Sequence, residues 1–273
     1  MTTSIHKGTQ VAARSSNGGG GAALRSGMTV GRLTLREERS RTVKASERVA
    51  QDIVRDIVLR VLETGDRLPL EAAMVEEYGV SRTSLREALR LLEVQGLISL
   101  KPGPGGGPVV GTVEPSHLAR TAALYFHLSA ATYADVMATQ VLMESTCARL
   151  AAMNPEREVL MAPWLVQDLP PDTPTYRDVT TGFHHAVYLA AANPVLSLLT
   201  QAVTHIVTQH VVMTMDPVEL RGPIVDEHAE LAQVIASGDA DTAEAMMAEH
   251  FERQHEYLRK RSPARIEEYI QWR

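Results

Sequence analysis

The fold of this chain is decided by residues 79–96, which read GVSRTSLREALRLLEVQG. Apolar side chains recur here at the spacing of an α-helix and predict one buried face: Leu85, Ala88, Leu89 and Leu92. Basic side chains repeat every fourth residue on the opposite side: Arg82, Arg86 and Arg90. Ser81 is the expected N-cap and Gly96 the expected stop. The sequence predicts a helix that is anchored on one side and exposes a row of guanidinium groups on the other.

Weaker patterns surround this helix on both sides. Apolar residues repeat every fourth position after Ser46 and predict a preceding helix, and residues 71–79 predict a short second helix that Gly79 closes. Downstream, two β-prone runs at 97–100 and 109–113 flank a tip rich in proline and glycine, which indicates a two-stranded hairpin. This order of helix, short helix, turn, helix and hairpin is that of a winged helix-turn-helix.

The rest of the chain, from residue 114 onward, has a helical pattern. Helical periodicities are separated by short turn signals, and we expect helices at about residues 115–128, 131–153, 174–192, 195–213, 217–236 and 240–260. The fold class is therefore mostly α, with an N-terminal winged helix-turn-helix followed by an all-helical antiparallel bundle. We expect a disordered basic arm at 1–45, the winged module at 46–113 and the helical domain at 114–273.

Charge is distributed unevenly along the chain. The formal net charge is −6, yet residues 1–45 carry eight Lys or Arg against two Asp or Glu. The helical domain carries eleven basic and twenty-one acidic residues, so bulk charge does not favour nucleic acid there. Apolar runs are too short to cross a membrane, and Cys147 is the only cysteine. We expect a cytoplasmic protein without membrane attachment, whose arm is either a floppy extension or a phosphate contact.

Positive charge on the central helix is consistent with nucleic-acid recognition. Guanidinium and hydroxyl groups near a helix N-terminus suit phosphate oxygens and guanine edges, and a single helix fits the major groove. The other interpretation of the same residues is a solvated helix face that is balanced by pairs such as Arg90–Glu93. The helix pattern alone leaves both interpretations open.

Order, spacing and residue type over residues 46–113 resemble the DNA-binding module of the GntR family of bacterial transcription regulators. The landmarks are Gly65-Asp66, Leu68-Pro69, Glu71, Gly79-Val80-Ser81-Arg82, Leu85-Arg86-Glu87-Ala88-Leu89, Leu92 and Gly96-Leu97. The resemblance implies DNA contacts at Ser81, Arg82, Thr83, Ser84, Arg86 and Arg90, and at the hairpin tip near Lys101, Pro102 and Gly103. Leu70 and Ala72 depart from the family pattern, in which a capping serine and an arginine are usual. We therefore expect an altered operator preference with DNA binding retained.

A second pattern in the helical domain resembles the FCD effector domain of the FadR-like branch of the GntR family. Its landmarks are Phe183-His184, Asn193, Glu227-His228 and His250. The resemblance implies a divalent metal, Zn²⁺ or Ni²⁺, held by His184, His228 and His250, with open positions for a carboxylate ligand. Thr180 stands where the family has an aspartate ligand, which weakens the expected site.

The same resemblance predicts an effector site in the helical domain. The family's Arg-x-x-x-Glu motif reads here as Gln140 and Glu144, so the arginine that holds an acidic effector in relatives is replaced. A less acidic, larger or more apolar ligand is expected for this reason. The predicted effector contacts are Gln140, Glu144, Thr180, His184, Asn193, His228 and His250.

These features predict a ligand-responsive transcription regulator, not an enzyme, that binds a palindromic operator as a homodimer. The expected mode is repression that is relieved by a small-molecule effector, an organic acid or an acyl-type metabolite. Two alternatives remain. A metal-dependent hydrolase would use the three histidines and a water, and an architectural DNA-binding protein would carry a vestigial effector domain.

Overall fold

The computed structural model describes residues 44–103, 106–112, 114–165, 176–214 and 221–272. These residues belong to one unit, Lys44–Arg273, and the predicted basic arm lies outside the described residues apart from its last two positions. Within the described part of the chain, no helix is both long enough and apolar enough to cross a membrane.

The N-terminal module is built from α1 (Ala45–Leu59), α2 (Glu71–Tyr78), α3 (Arg82–Val94), β1 (Ile98–Lys101) and β2 (Gly107–Val110). The two strands pair antiparallel, with Ile98 opposite Val110. The apolar face of α3 is buried against α1 and the hairpin, as its periodicity predicts. The predicted winged helix-turn-helix is confirmed.

Local chemistry sets the helix boundaries of this module. α1 begins at Ala45 with Lys44 as its N-cap, so Ser46, which its residue type makes a candidate cap, is buried in the first turn and does not cap the helix. α2 ends at Gly79, whose φ of 61° lies in the left-handed region that glycine tolerates. Leu70 is the N-cap of α2 and makes no side-chain cap hydrogen bond, in line with the missing serine.

The helical domain is built from α4 (Pro115–Leu128), α5 (Tyr133–Met153), α6 (Arg157–Met161), α7 (Tyr176–Ala190), α8 (Pro194–His210), α9 (Arg221–Ser237), α10 (Ala240–Arg261) and α11 (Pro263–Ile266). α5 is central and packs against α7, α8, α9 and α10. Its start is fixed by a capping box, in which Thr132 and Asp135 exchange side-chain and backbone hydrogen bonds. The predicted all-helical architecture is confirmed, although the sequence does not predict the short α6.

Two hydrophobic clusters hold the helical domain together. One surrounds Tyr133 and Ile206, where α4, α5 and α8 meet, and the other surrounds Phe183 and Met247, where α5, α7, α9 and α10 meet. Cys147 belongs to the second cluster, and burial raises the pKa of its thiol to about 11. The second cluster also forms the wall against which the predicted histidines pack.

Candidate functional site

The arginine face of α3 is open to solvent. Arg82, Arg86 and Arg90 are exposed, while the apolar residues of the opposite face are buried. Ser81 Oγ accepts a hydrogen bond from the backbone N–H of Ser84 at 3.1 Å, so Ser81 is the N-cap that the sequence predicts. The N-terminal end of α3 therefore combines guanidinium groups, hydroxyls and the positive end of the helix dipole.

Acidic neighbours affect these arginines differently. Arg86 Nε lies 2.9 Å from Glu71 Oε1, and the Arg86 side chain is 71% exposed. No described residue forms an ion pair with Arg82 or Arg90, and Glu93 instead accepts a hydrogen bond from the backbone of β1 at 3.3 Å. Arg82 and Arg90 are therefore available to a duplex, whereas Arg86 pairs with an acid of its own module and stays largely exposed.

Other predicted DNA contacts lie on exposed surface as well. Thr83 on α3 is exposed, and so are Lys101 and Gly103 at the hairpin tip. Gly103 has a φ of 96°, which a side chain would strain, so the tight tip requires glycine at this position. Thr83, Lys101 and Gly103 are therefore accessible to a nucleic acid. Their role as DNA contacts stays a prediction.

The three predicted histidines come together from three different helices. His184 on α7, His228 on α9 and His250 on α10 are buried, and each offers a nitrogen within 4.8 Å of the others. Their ring centroids are 5.0 Å (His184–His228 and His228–His250) and 5.5 Å (His184–His250) apart. Phe183 stacks on His228 with a centroid separation of 4.2 Å. The donor set and its spacing are those of a divalent metal site.

The imidazole nitrogens fit such an ion. Both nitrogens of His228, and Nδ1 of His184, are buried without a hydrogen-bond partner in the described structure. His250 differs, because its Nδ1 bonds Glu227 and its Nε2 lies 2.6 Å from Gln254 Nε2. Burial lowers the pKa of His228 well below its ordinary value, and burial also lowers the pKa of His250. A histidine binds metal as a neutral ring through an unprotonated nitrogen, so the cluster is suited to Zn²⁺ or Ni²⁺.

Two carboxyl groups lie next to this cluster. Glu227 Oε2 accepts a hydrogen bond from His250 Nδ1 at 2.6 Å, and its other oxygen accepts one from Arg253 Nε at 3.3 Å. Burial acts to raise the pKa of Glu227, but the hydrogen bonds from His250 and Arg253 outweigh burial and lower the pKa. Glu144 Oε2 lies 3.5 Å from His184 Nδ1.

Gln140 and Glu144 are buried inside the bundle and are hydrogen-bonded there. Glu144 Oε1 accepts hydrogen bonds from the hydroxyls of Tyr188 at 2.5 Å and Thr204 at 2.8 Å. Gln140 Nε2 donates to the Thr204 hydroxyl at 3.1 Å, and Gln140 Oε1 accepts from His255 Nε2 at 3.0 Å. Both polar atoms of Gln140 are therefore used within the protein, and its contact with an effector stays a prediction.

A cavity of about 370 Å³ opens beside the cluster, between the start of α4 and the helices α7 and α8. His184 lines this cavity together with Tyr188, Thr204 and Glu114. Because Tyr188 and Thr204 also bond Glu144, the buried network lies directly behind the cavity wall. A ligand in the cavity would therefore meet one histidine of the cluster and the hydroxyls that hold the buried acid.

Two other predicted effector residues have different surroundings. Asn193 is exposed and caps α8, since its Oδ1 accepts the backbone N–H of Leu196 at 3.1 Å. Thr180 lies on α7, and its side chain is outside the described residues. The structure gives Asn193 a capping role, and effector contact at both positions stays a prediction.

The winged module and the histidine-bearing bundle together define a bacterial regulatory protein with an effector-type domain. A family model described as bacterial regulatory proteins, gntR family, matches residues 45–106, and the FCD domain model matches residues 135–253. The chain belongs to the GntR family and carries an FCD domain. This is a family of regulatory proteins and not of enzymes, so the hydrolase alternative is set aside.

Individual relatives agree with this assignment. The chain is 32% identical over 114 residues to the Uxu operon regulator of Haemophilus influenzae, across 42% of this chain and 41% of that protein. It is 29% identical over 159 residues to the Exu regulon transcriptional regulator of Escherichia coli, across 57% and 60% of the two chains. The matches thus span about half the length of these curated relatives. Among solved structures, Streptococcus agalactiae GntR shares the fold with a TM-score of 0.53 at 17% identity, over 77% of this chain and 99% of that chain.

Sequence reasoning found the three histidines but missed the side chains that support them. Glu227 stands in the same Glu-His pair as His228, so its motif offered a signal. Tyr188 lies one helical turn after His184, and that spacing is its signal. No sequence signal identifies His255, because its hydrogen bond to Gln140 depends on the packing of α10 against α5.

Proposed function

We propose that the chain is a ligand-responsive transcription regulator of the FadR-like branch that binds operator DNA through its winged module. The observation that carries this proposal is the exposed arginine row of α3, whose opposite face is buried in the module. Insertion of α3 into a major groove brings this row to base edges and phosphates. The proposed contacts are Ser81, Arg82, Thr83, Ser84, Arg86 and Arg90 on α3, with Lys101 and Gly103 at the hairpin tip.

We further propose that the protein binds as a homodimer on a palindromic operator and acts as a repressor. A single winged module buries little surface on DNA, so two copies on two half-sites give the affinity that specific recognition needs. Relatives whose names describe regulators of an operon and a regulon support binding at an operator.

Selection of binding sites from a library of random DNA duplexes tests the DNA-binding proposal. The enriched sequences should form an inverted repeat, and Arg82→Ala should lose the enrichment. Arg149→Ala is the control, because Arg149 lies on α5 and pairs with Asp241 and Glu244 in the helical domain. Recovery of unrelated sequences by the wild-type protein would refute specific recognition.

The first helix of the helical domain offers a route from ligand to DNA. Arg120 Nη2 on α4 donates to the carbonyl oxygen of Val94, the last residue of α3, at 3.2 Å. The His117 ring packs against Gly96 so closely that a Cβ there would lie 2.1 Å from its Nε2. Ser116, in the same turn of α4, lines the cavity beside the histidine cluster. A ligand that favours one placement of α4 therefore changes the placement of α3.

The histidine cluster is proposed to hold a divalent ion, Zn²⁺ or Ni²⁺, through His184, His228 and His250. When bound, such an ion supplies open coordination positions for a carboxylate oxygen of the effector, an organic acid or acyl-type metabolite. His184 reaches the cavity and so orients the ligand at this end. Elemental analysis of freshly purified protein should show metal, and joint replacement of the three histidines by alanine should remove it. Wild-type protein without metal would contradict this proposal.

A further inference from the structure

Two acidic side chains approach the histidine cluster from different helices. Glu227 on α9 directly precedes His228, yet it bonds a histidine of another helix, with Oε2 2.6 Å from His250 Nδ1. Glu144 on α5 places its Oε2 3.5 Å from His184 Nδ1. In both pairs the nitrogen that faces the carboxyl group is Nδ1, but only the His250 pair is close enough to be a hydrogen bond.

Other side chains fix the position of each carboxyl group. Glu227 Oε1 accepts a hydrogen bond from Arg253 Nε at 3.3 Å. Glu144 is fully buried, and its Oε1 accepts two hydroxyl hydrogen bonds from α7 and α8. Its Oε2 has no hydrogen bond within the described structure, so His184 is the donor that it faces. A buried acceptor without a donor destabilises the fold. A hydrogen bond from His184 Nδ1–H to this oxygen would therefore be favourable.

The chemistry of imidazole gives this arrangement a consequence. A neutral ring has one N–H and one nitrogen lone pair, and a metal ion binds only the lone pair. A carboxyl group that accepts the Nδ1–H therefore keeps the lone pair on Nε2, where a metal can bind, and fixes the ring orientation. At His250 the side-chain amide of Gln254 lies 2.6 Å from Nε2 and has to give way to the ion. A carboxylate behind the ring also makes the lone pair more basic.

We propose that Glu144 and Glu227 are positioning residues for the metal site. From behind His184 and His250 they supply carboxyl acceptors, where Thr180 supplies no carboxyl ligand. This inference rests on the metal site proposed above. The proposed site has imidazole ligands, and two acidic side chains support them from behind. Such a site suits Zn²⁺ and excludes Mg²⁺ and Ca²⁺, because these two ions require oxygen ligands.

Zinc affinity of the full-length protein, measured by competition with a chromophoric chelator, tests the proposal. Glu144→Gln and Glu227→Gln keep the side-chain size and replace the carboxyl group by an amide, and each should weaken zinc binding by about 10- to 100-fold. Glu252→Gln is the matched control, because Glu252 is exposed on α10 two residues after His250 and is not bonded to Arg253 or Glu227 among the described contacts. Its zinc affinity should equal that of the wild type.

The histidine tautomers give a second measurement, which a merely structural role would not change. Long-range ¹H–¹⁵N spectra of the metal-free protein should show the proton on Nδ1 of both His184 and His250. Glu227→Ala removes the acceptor at Nδ1, so the proton of His250 should move to Nε2 and bond the amide oxygen of Gln254, whose side chain lies 2.6 Å away. His184 should stay unchanged. Because Glu144 is buried and its replacement can destabilise the fold, the half-buried Glu227 provides the variant that keeps the test conclusive.

The outcomes separate this inference from the proposals on which it rests. A wild-type protein that takes up no zinc refutes the metal site together with this inference, and leaves the DNA-binding proposal intact. Zinc affinity that is unchanged in Glu227→Gln refutes the inference alone. An equal loss in Glu252→Gln also refutes it, because the effect would then be one of general charge and not of contact with the ring.

Discussion

Arg86 is the α3 arginine whose contribution to DNA binding can be separated from its contacts within the protein. In the free protein its Nε lies 2.9 Å from Glu71 Oε1 in a largely exposed ion pair. An exposed pair of this kind contributes about 0.2–1 kcal/mol, whereas an arginine contact to a base edge contributes about 1–3 kcal/mol. Because the DNA contact stabilises more than the ion pair does, we expect Arg86 to leave Glu71 when a duplex binds.

A double-mutant cycle measures this exchange. Arg86→Ala should weaken DNA binding by about 5- to 150-fold. Glu71→Gln should tighten it by about 1.4- to 5-fold, because the ion pair no longer competes with the duplex. In the Arg86→Ala background, Glu71→Gln should give no gain. Arg60→Ala is the matched control, since Arg60 pairs with Glu77 on the same α2 helix but itself lies at the end of α1.

Fluorescence anisotropy with a labelled duplex from the site selection is the assay. Repeating the titrations between about 50 and about 200 mM salt shows whether Arg86 contacts a phosphate, because each lost phosphate contact lowers the slope of log K against log salt by about 0.9. Two results would refute the reasoning. One is a gain from Glu71→Gln that persists without Arg86, and the other is an Arg86→Ala loss no larger than that of Arg60→Ala.

Three further predictions concern stability. Burial lowers the pKa of His255 from 6.5 to about 3, so below its ordinary pKa the unfolded chain takes up a proton that the folded chain does not. This residue should contribute about 2 kcal/mol to the stability lost between about pH 7 and about pH 5. In urea titrations His255→Gln should lose less stability over this range than the wild type by about that amount, while the contributions of His228 and His250 remain. Gly96→Ala should lower the free energy of unfolding by about 1–3 kcal/mol in thermal melts, because φ is 74° and the added methyl group would clash with His117. Adding His117→Ala should relieve the clash but not the backbone strain, and so should restore only part of this loss. Ser81→Ala should cost about 0.5–2 kcal/mol of unfolding free energy by removing the cap on Ser84, and an unchanged urea midpoint would contradict this.

α3 shows how much of this fold can be predicted from local sequence. Its cap, its stop and both of its faces are encoded within one short segment, since side-chain direction follows directly from the helical repeat. The structure confirms the helix, its buried leucines and the exposed Arg82, Arg86 and Arg90. The order of flanking elements then predicts the winged module, because each of them also has its own turn or cap signal.

α5 shows where this reasoning stops. Other helices pack around it, so its periodicity does not reveal which side chains face a cavity and which face a neighbour. The sequence therefore singles out Gln140 and Glu144 but does not predict the direction in which their side chains point. In the structure both side chains are hydrogen-bonded to Thr204. The short α6 was missed because five residues are too few to leave a periodic signal.

Cys147 makes the chain well suited to fluorescent labelling. It is the only thiol in the sequence, and its burial with a pKa raised to about 11 keeps it protonated and away from alkylating dyes at neutral pH. Cysteines introduced at exposed positions, such as Glu76→Cys on α2 and Glu252→Cys on α10, should therefore take up a maleimide dye while the native thiol stays intact. Energy transfer between two such dyes would report the separation of the winged module from the bundle in single molecules, with and without DNA.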